Sequence, residues 1–173
     1  MKQFSSKFFG VAIAVVLLAT VTFAAPAAKP KATGDIDFIN GPGGYNEQAN
    51  LTFNAINTGS GLGAKGSAIY TDANITYAMD VQFLKVDGTT GTAWFAGQVT
   101  SVTDDKICCK VGNWMFFMVK DNGEPGINDL VWGEDLTNDG KVLAGDNAAG
   151  YVEHEVEPQY SHFVVNGGNL QVR

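Results

Sequence analysis

Residues 75–86, ITYAMDVQFLKV, set Ile75, Tyr77, Met79, Val81 and Phe83 on one side of the chain and Thr76, Ala78, Asp80, Gln82 and Leu84 on the other. A period of two is that of an extended strand with one face turned to a core. Asp87-Gly88 then supplies a turn pair, and residues 92–100, TAWFAGQVT, offer Ala93, Phe95, Gly97 and Val99 to one face. Two alternating runs joined by such a turn predict an antiparallel hairpin.

The same alternation extends both ways. Ile36 and Phe38 share a face in residues 35–40, and Leu51, Phe53 and Ala55 do so in residues 50–57. Residues 64–72, AKGSAIYTD, carry small side chains, and Gly66 there predicts a close approach by a neighbouring backbone. Residues 113–120, NWMFFMVK, are apolar on both faces and read as a strand covered on both sides. Further short strands are expected at 107–111, 130–132, 150–156, 162–165 and 169–172, and no window of helical length carries a 3.6-residue stripe. The sum is an all-β domain, an antiparallel β-sandwich or flattened barrel of about ten short strands.

The N-terminus reads differently. Lys2 and Lys7 precede an uncharged apolar run from Phe8 to Phe23, with small residues and prolines after it, which is the order of a secretory signal peptide. The expected division is a signal peptide at 1–24, a flexible Ala/Pro/Lys leader at 25–33 and one β domain at 34–173. That organisation predicts a secreted or cell-envelope protein with no membrane span after processing. Loss of Lys2 and Lys7 takes the formal charge from −7 to −9 and leaves no cationic cluster, so nucleic acid is a poor partner. Adjacent Cys108 and Cys109 leave three states open: free or partly buried thiols, a vicinal disulfide, or a bridge between molecules.

Acidic loops are the first candidates for chemistry. Residues 120–130, KDNGEPGINDL, hold Asp121, Glu124 and Asp129 among two turn pairs, Asn122-Gly123 and Pro125-Gly126. The turn pairs mark a structural reversal, while the carboxylates suit oxygen ligation of Ca²⁺. In residues 135–146, DLTNDGKVLAGD, Asp135, Thr137, Asp139 and Asp146 fall at loop positions 1, 3, 5 and 12 with Gly140 at 6, near the calcium-loop pattern. Position 12 is Asp rather than Glu and neither flank reads as a helix, so a helix-free Ca²⁺ loop or a plain hairpin is expected in place of an EF-hand. Residues 152–157, VEHEVE, read as an edge strand with Glu153, Glu155 and Glu157 on its outer face. Trp94 and Trp132 are the candidates for a saccharide-facing surface, since Trp114 sits in the doubly apolar run. Neither a nucleophile elbow, a HExxH zinc pattern, a phosphate-cradling glycine loop nor a CxxC pair occurs.

The segments 66–70, 86–97, the DNGEPG turn at 121–126 with Asp129, and GGNLQV at 167–172 together resemble a group of secreted bacterial β-domains often found with surface-anchoring modules. The resemblance spans roughly Asn50 to Arg173 and implies an extracellular or envelope β-sandwich or barrel with no established catalytic residues. The expected role is a non-catalytic structural or binding module with a cell-surface polysaccharide or envelope protein as partner. Its rivals are a polysaccharide hydrolase using carboxylates between Asp121 and Asp146, and a Ca²⁺-stabilised adhesive or assembly subunit.

Overall fold

The computed structural model describes residues 28–40, 47–59, 61–104, 109–123, 128–136, 145–157 and 163–173. The signal-peptide reading falls outside them. The chain forms β1 (Lys31–Asn40), β2 (Glu47–Asn57), β3 (Ala64–Thr71), β4 (Thr76–Asp87), β5 (Thr92–Val102), β6 (Trp114–Lys120), β7 (Leu130–Asp135), helix α1 (Gly145–Glu153) and β8 (Phe163–Val172). Each strand pairs with the next, and β8 returns to β1, closing an eight-stranded antiparallel barrel.

The eleven runs read from the sequence become eight strands among the described residues for local reasons. The two C-terminal runs are one strand, because β8 passes through Gly167 and Gly168 while pairing with β1. Cys109, Lys110 and Val111 lie in a loop, and the segment expected as an acidic edge strand is the end of α1 and the turn that follows it. The barrel starts at Lys31, ahead of the expected domain boundary at Gly34. Lys31 N–H donates to Arg173 O at 2.8 Å and Arg173 N–H donates back to Lys31 O at 2.9 Å, which ties the start of β1 to the residue after β8.

Inward positions form one apolar cluster. At its centre Phe95 lies between Phe53, with ring centroids 4.8 Å apart, and Phe117, 5.5 Å apart. Opposite these rings the facing strands carry Gly34, partner of Phe53, and Gly133, partner of Phe117; a Cβ at either would lie 2.5 Å from a ring carbon. Phe38, Tyr70 and Tyr77 continue the aromatic filling, Tyr70 stacking on Tyr77 at 5.1 Å. Outward positions of β1, β2 and β8 are largely polar, among them Asp35, Asp37, Asn50, Thr52 and Asn169. This is the reverse of the apolar-out, polar-in alternation of transmembrane barrels. Among the described residues, no helix is long and apolar enough to cross a membrane.

The alternation of β4 breaks once. Register with β5 shifts between Val81 and Phe83, so Tyr77, Met79, Val81 and then Leu84 face inward while Phe83 stacks outside on Trp114 at 5.6 Å. A bulge changes the parity of everything after it, which is why Phe83 departs from the face its spacing predicts. Outside β5, β6 and β7 a second buried cluster gathers Trp94, Trp114, Phe116, Met118 and Trp132 beneath Ala148 and Val152 of α1. Residue 113–120 spacing foretells a strand covered on both faces, and α1 is the outer cover. Ala148 and Val152 stand one helical turn apart on the same side, a stripe too short to register against the surrounding two-residue alternation.

Gly66 has φ +150°, and a Cβ there would lie 1.7 Å from Asn54 O, so the close approach expected from sequence is present. Gly88 has nothing within 4 Å of such a Cβ. Gly66→Ala is expected to cost about 1–3 kcal/mol through forced backbone strain. Gly88→Ala is expected to be near neutral. Thermal melts of the two variants separate these outcomes, at about 2–4 °C per kcal/mol for a domain of this size.

Candidate functional site

Three regions contain the candidate residues. At one end of the barrel, the β6–β7 connection carries Asp121 and Asp129. Asp129 is 2 % exposed, its Oδ1 accepts from Asn122 N–H at 2.9 Å, and its own carbonyl accepts from Val165 N–H at 2.8 Å. Asp121 Oδ1 accepts from Gly123 N–H at 2.8 Å and Oδ2 from Val172 N–H at 3.2 Å. Both carboxylates therefore hold backbone donors of the reversal, and Asp121 Oδ2 and the Asp129 carbonyl join it to β8. Glu124 lies outside the described residues.

At the opposite end, Asp135 closes β7 and its Oδ2 accepts from Cys109 N–H at 3.4 Å. Cys109 is disulfide-bonded and buried against the interior cluster with φ +60°, and the sequence offers only Cys108 as a partner within the chain. Of the three open states, the vicinal bridge is the one this geometry carries. Tyr77 is close by, its hydroxyl pushed well above its ordinary range by complete burial, with Tyr70, Asp135 and Asp72 adding to the effect. Thr137 and Asp139 lie outside the described residues, and Asp146 falls in the first turn of α1, where its side chain is not described. The C-terminal flank of that acidic loop is thus a helix, against the sequence expectation. Among the described residues no group of three or more His, Cys, Asp or Glu is placed to hold a metal ion.

The third region lies on the outer wall. Outward residues of β4 to β7 form two neighbouring rows across the sheet: Lys85, Trp94, Met118 and Trp132 in one, and Asp87, Thr92, Lys120 and Leu130 in the other. The chain leaving α1 arches over them. It is pinned by Lys85, whose Nζ donates to Glu153 O at 2.7 Å and pairs with Glu155 at 2.8 Å. Between this arch and the β4–β5 turn lies a groove of about 240 Å³, lined by Asp87, Thr90, Thr92, Trp94, Met118, Lys120, Leu130, Glu155 and Glu157.

Trp94 and Trp132 are 4 % and 7 % exposed, so neither offers an open ring face for a sugar to stack on, contrary to the platform expected from sequence. Trp94 matters in another way. Its Nε1–H is buried and has no acceptor, a situation that costs about 1–3 kcal/mol. Asp87 accepts from Thr90 Oγ1 and Thr89 N–H, both at 2.8 Å, and these bonds, the Thr90 hydroxyl foremost, hold its carboxyl below the usual range. The sequence marks Asp87 only as a turn residue and gives no hint that Thr90, Thr92, Lys120, Glu155 and Glu157 converge there, because the helical arch that brings the two glutamates over the sheet was not legible.

Comparison of the chain with protein-family models, with curated proteins and with solved structures finds no match.

Removing the Asp129 carboxylate by Asp129→Ala leaves the Asn122 amide without its acceptor and is expected to cost about 1–3 kcal/mol. Asp129→Asn retains an acceptor oxygen and should cost less; urea denaturation of both variants provides the comparison.

Glu134, on the outer face of β7, has its carboxyl pushed above the ordinary value, first by burial and then by the neighbouring charge of Asp135. A carboxyl raised in the folded state binds its proton before the unfolded chain does, so its ionisation penalises folding above the folded pKa and the penalty disappears below the unfolded value near 4.5. Glu134→Gln should therefore raise Tm at pH 7 and leave it nearly unchanged at pH 4, as read from paired melts at the two pH values.

Proposed function

We propose that the chain is a secreted or cell-envelope binding module without catalytic activity. The observation that carries this reading is the use to which the described loop acids are put: Asp121, Asp129 and Asp135 each accept backbone N–H groups. They secure turns in place of facing a shared cleft. Asp129 and Asp135 stand at opposite ends of β7, and six steps of about 3.3 Å put them roughly 20 Å apart. A glycosidase needs its carboxyl pair within about 5–9.5 Å, so this pair does not suit the hydrolase reading.

A barrel filled with side chains is a rigid scaffold whose outer wall is free to recognise a partner, and the mixed polar groove beneath the α1 arch is one recess on that wall. Closure of the sheet pairs β1 along its length on both sides, so that strand offers no free edge for assembly by strand exchange. The likeness of the DNGEPG and GGNLQV segments to envelope-associated β-domains agrees with this role. Ca²⁺ has a place in it only as a stabiliser of the loop after β7.

The expected outcome of incubating the protein with insoluble envelope material from the producing cells is co-sedimentation with no release of reducing ends during prolonged incubation. Sedimentation and a reducing-sugar assay on the same samples check both halves. Steady release of reducing ends would establish the hydrolase in its place.

A further inference from the structure

We infer that Asn74, in the turn between β3 and β4, is the acceptor of an N-linked glycan. The inference rests on the secreted reading, since such glycans are added to exported chains.

The sequence holds two Asn-X-Thr triplets, Asn50-Leu51-Thr52 and Asn74-Ile75-Thr76, the pattern an acceptor requires. The fold treats them differently. Asn50 lies within β2, paired with Asp37 of β1 on one side and Thr71 of β3 on the other. Its Nδ2 donates to Asp35 Oδ1 and to Asp37 Oδ1, both at 3.0 Å, so both hydrogens of the amide are in use. The Thr52 hydroxyl donates to the same Asp35 oxygen at 3.0 Å. A sugar on the Asn50 nitrogen would take the place of one hydrogen and break a bond to a carboxylate. Asn74 stands outside every strand and is exposed, and its Nδ2 donates once, to Glu47 at 2.7 Å. A glycosylated amide keeps one N–H, so that bond survives modification. The turn itself is held by its backbone and by Asp72, whose Oδ1 accepts from Asn74 N–H at 2.8 Å and Ile75 N–H at 2.9 Å, while Asp72 N–H donates to Ile75 O at 2.9 Å. Its shape needs nothing from the Asn74 side chain.

In the reaction Asn74 Nδ2 attacks the anomeric carbon of an oligosaccharide carried on a lipid pyrophosphate. The N–C bond forms, the C–O bond to the pyrophosphate breaks and leaves its electron pair there, and one amide proton is released. A transferase reaches Asn74 by opening one short turn, a local event, whereas Asn50 is reached only by drawing β2 from between its neighbours. Thr76 and Asp87 are the two ends of β4, and eleven steps of about 3.3 Å put the turn roughly 36 Å from the groove that Asp87 lines. A glycan there leaves the groove open.

The test incubates the folded chain with a lipid-pyrophosphate oligosaccharide and a single-subunit oligosaccharyltransferase chosen because it modifies free peptides of both sequences. Gln48→Asp places ahead of Asn50 the acid that Asp72 supplies ahead of Asn74, so the comparison turns on the fold and not on the leading residue. The expected result is one glycan per chain, mapped by mass spectrometry to residue 74 in the parent and in Gln48→Asp, and none in Asn74→Gln. The modified protein should melt within about 2 °C of the parent, a small shift for a domain of this size. Far-ultraviolet circular dichroism identical to that of the parent keeps the variants informative. A bare Asn74, a glycan on residue 50 of the folded chain, or a much larger fall in Tm on modification overturns the inference.

The same mapping on the native chain from the producing cells separates the two readings. An exported chain with a glycan on residue 74 supports both, and an exported chain with a bare Asn74 overturns the acceptor alone. A chain that never leaves the cytosol overturns the secreted reading, while transfer to Asn74 of the folded protein in vitro still supports the acceptor.

Discussion

An eight-stranded barrel encloses a space just wide enough for side chains to fill, and filling it is the constraint on which this molecule depends. Phe53, Phe95 and Phe117 meet at its centre. They fit because the strands facing two of them carry Gly34 and Gly133, leaving a hollow where each ring lies. Large side chains alternate with absent ones across the sheet, which is how a closed wall achieves the density of a protein interior. Removal of Phe95 would part the other two rings, since each stacks on it.

The second constraint is the outer face of β6. Trp114, Phe116 and Met118 leave that strand apolar on the side a barrel ordinarily turns to water. Helix α1 resolves this, with Ala148, Tyr151 and Val152 laid over them and Phe116 meeting the Tyr151 ring at 5.5 Å. The groove is a by-product of that cover. The helix ends before it reaches the β4–β5 turn, its tail is fastened by Lys85, and the buried Trp94 indole has no acceptor for its N–H. The same cover that stabilises the strand creates the polar recess.

Much of the sheet was legible because two-residue alternation is repeated and redundant. The β4–β5 hairpin, the doubly covered β6 and the tight approach at Gly66 all followed from residue type and spacing. What escaped was whatever depends on a single local event. The bulge near Val81 reverses the face of Phe83, and no composition announces it. Helix α1 escaped because its apolar stripe is one turn long and its acids mimic an edge strand. Asp121 and Asp129 were legible as turn residues, and as possible ligands to the same degree, since a carboxylate that accepts a backbone amide and one that binds a cation look alike in sequence. Of the groove only Trp94 was singled out in the sequence, as its lining comes from four strands and the tail of the missed helix.

Barrel closure is uneven. β1 and β8 run together from Ala32 and Val172 to Phe38 and Val165, whereas β7 meets β8 only through Leu130 with Val164 and Val131 with Phe163. A wall with one short joint yields there first, since local opening frees the segments with the fewest contacts. Thermal breathing would part the cylinder along a single line and swing β8 outward on β1, leaving the other six junctions intact like the leaves of a folded screen. The aromatic filling would then meet water from one side only, beside the strand whose far face carries Trp132.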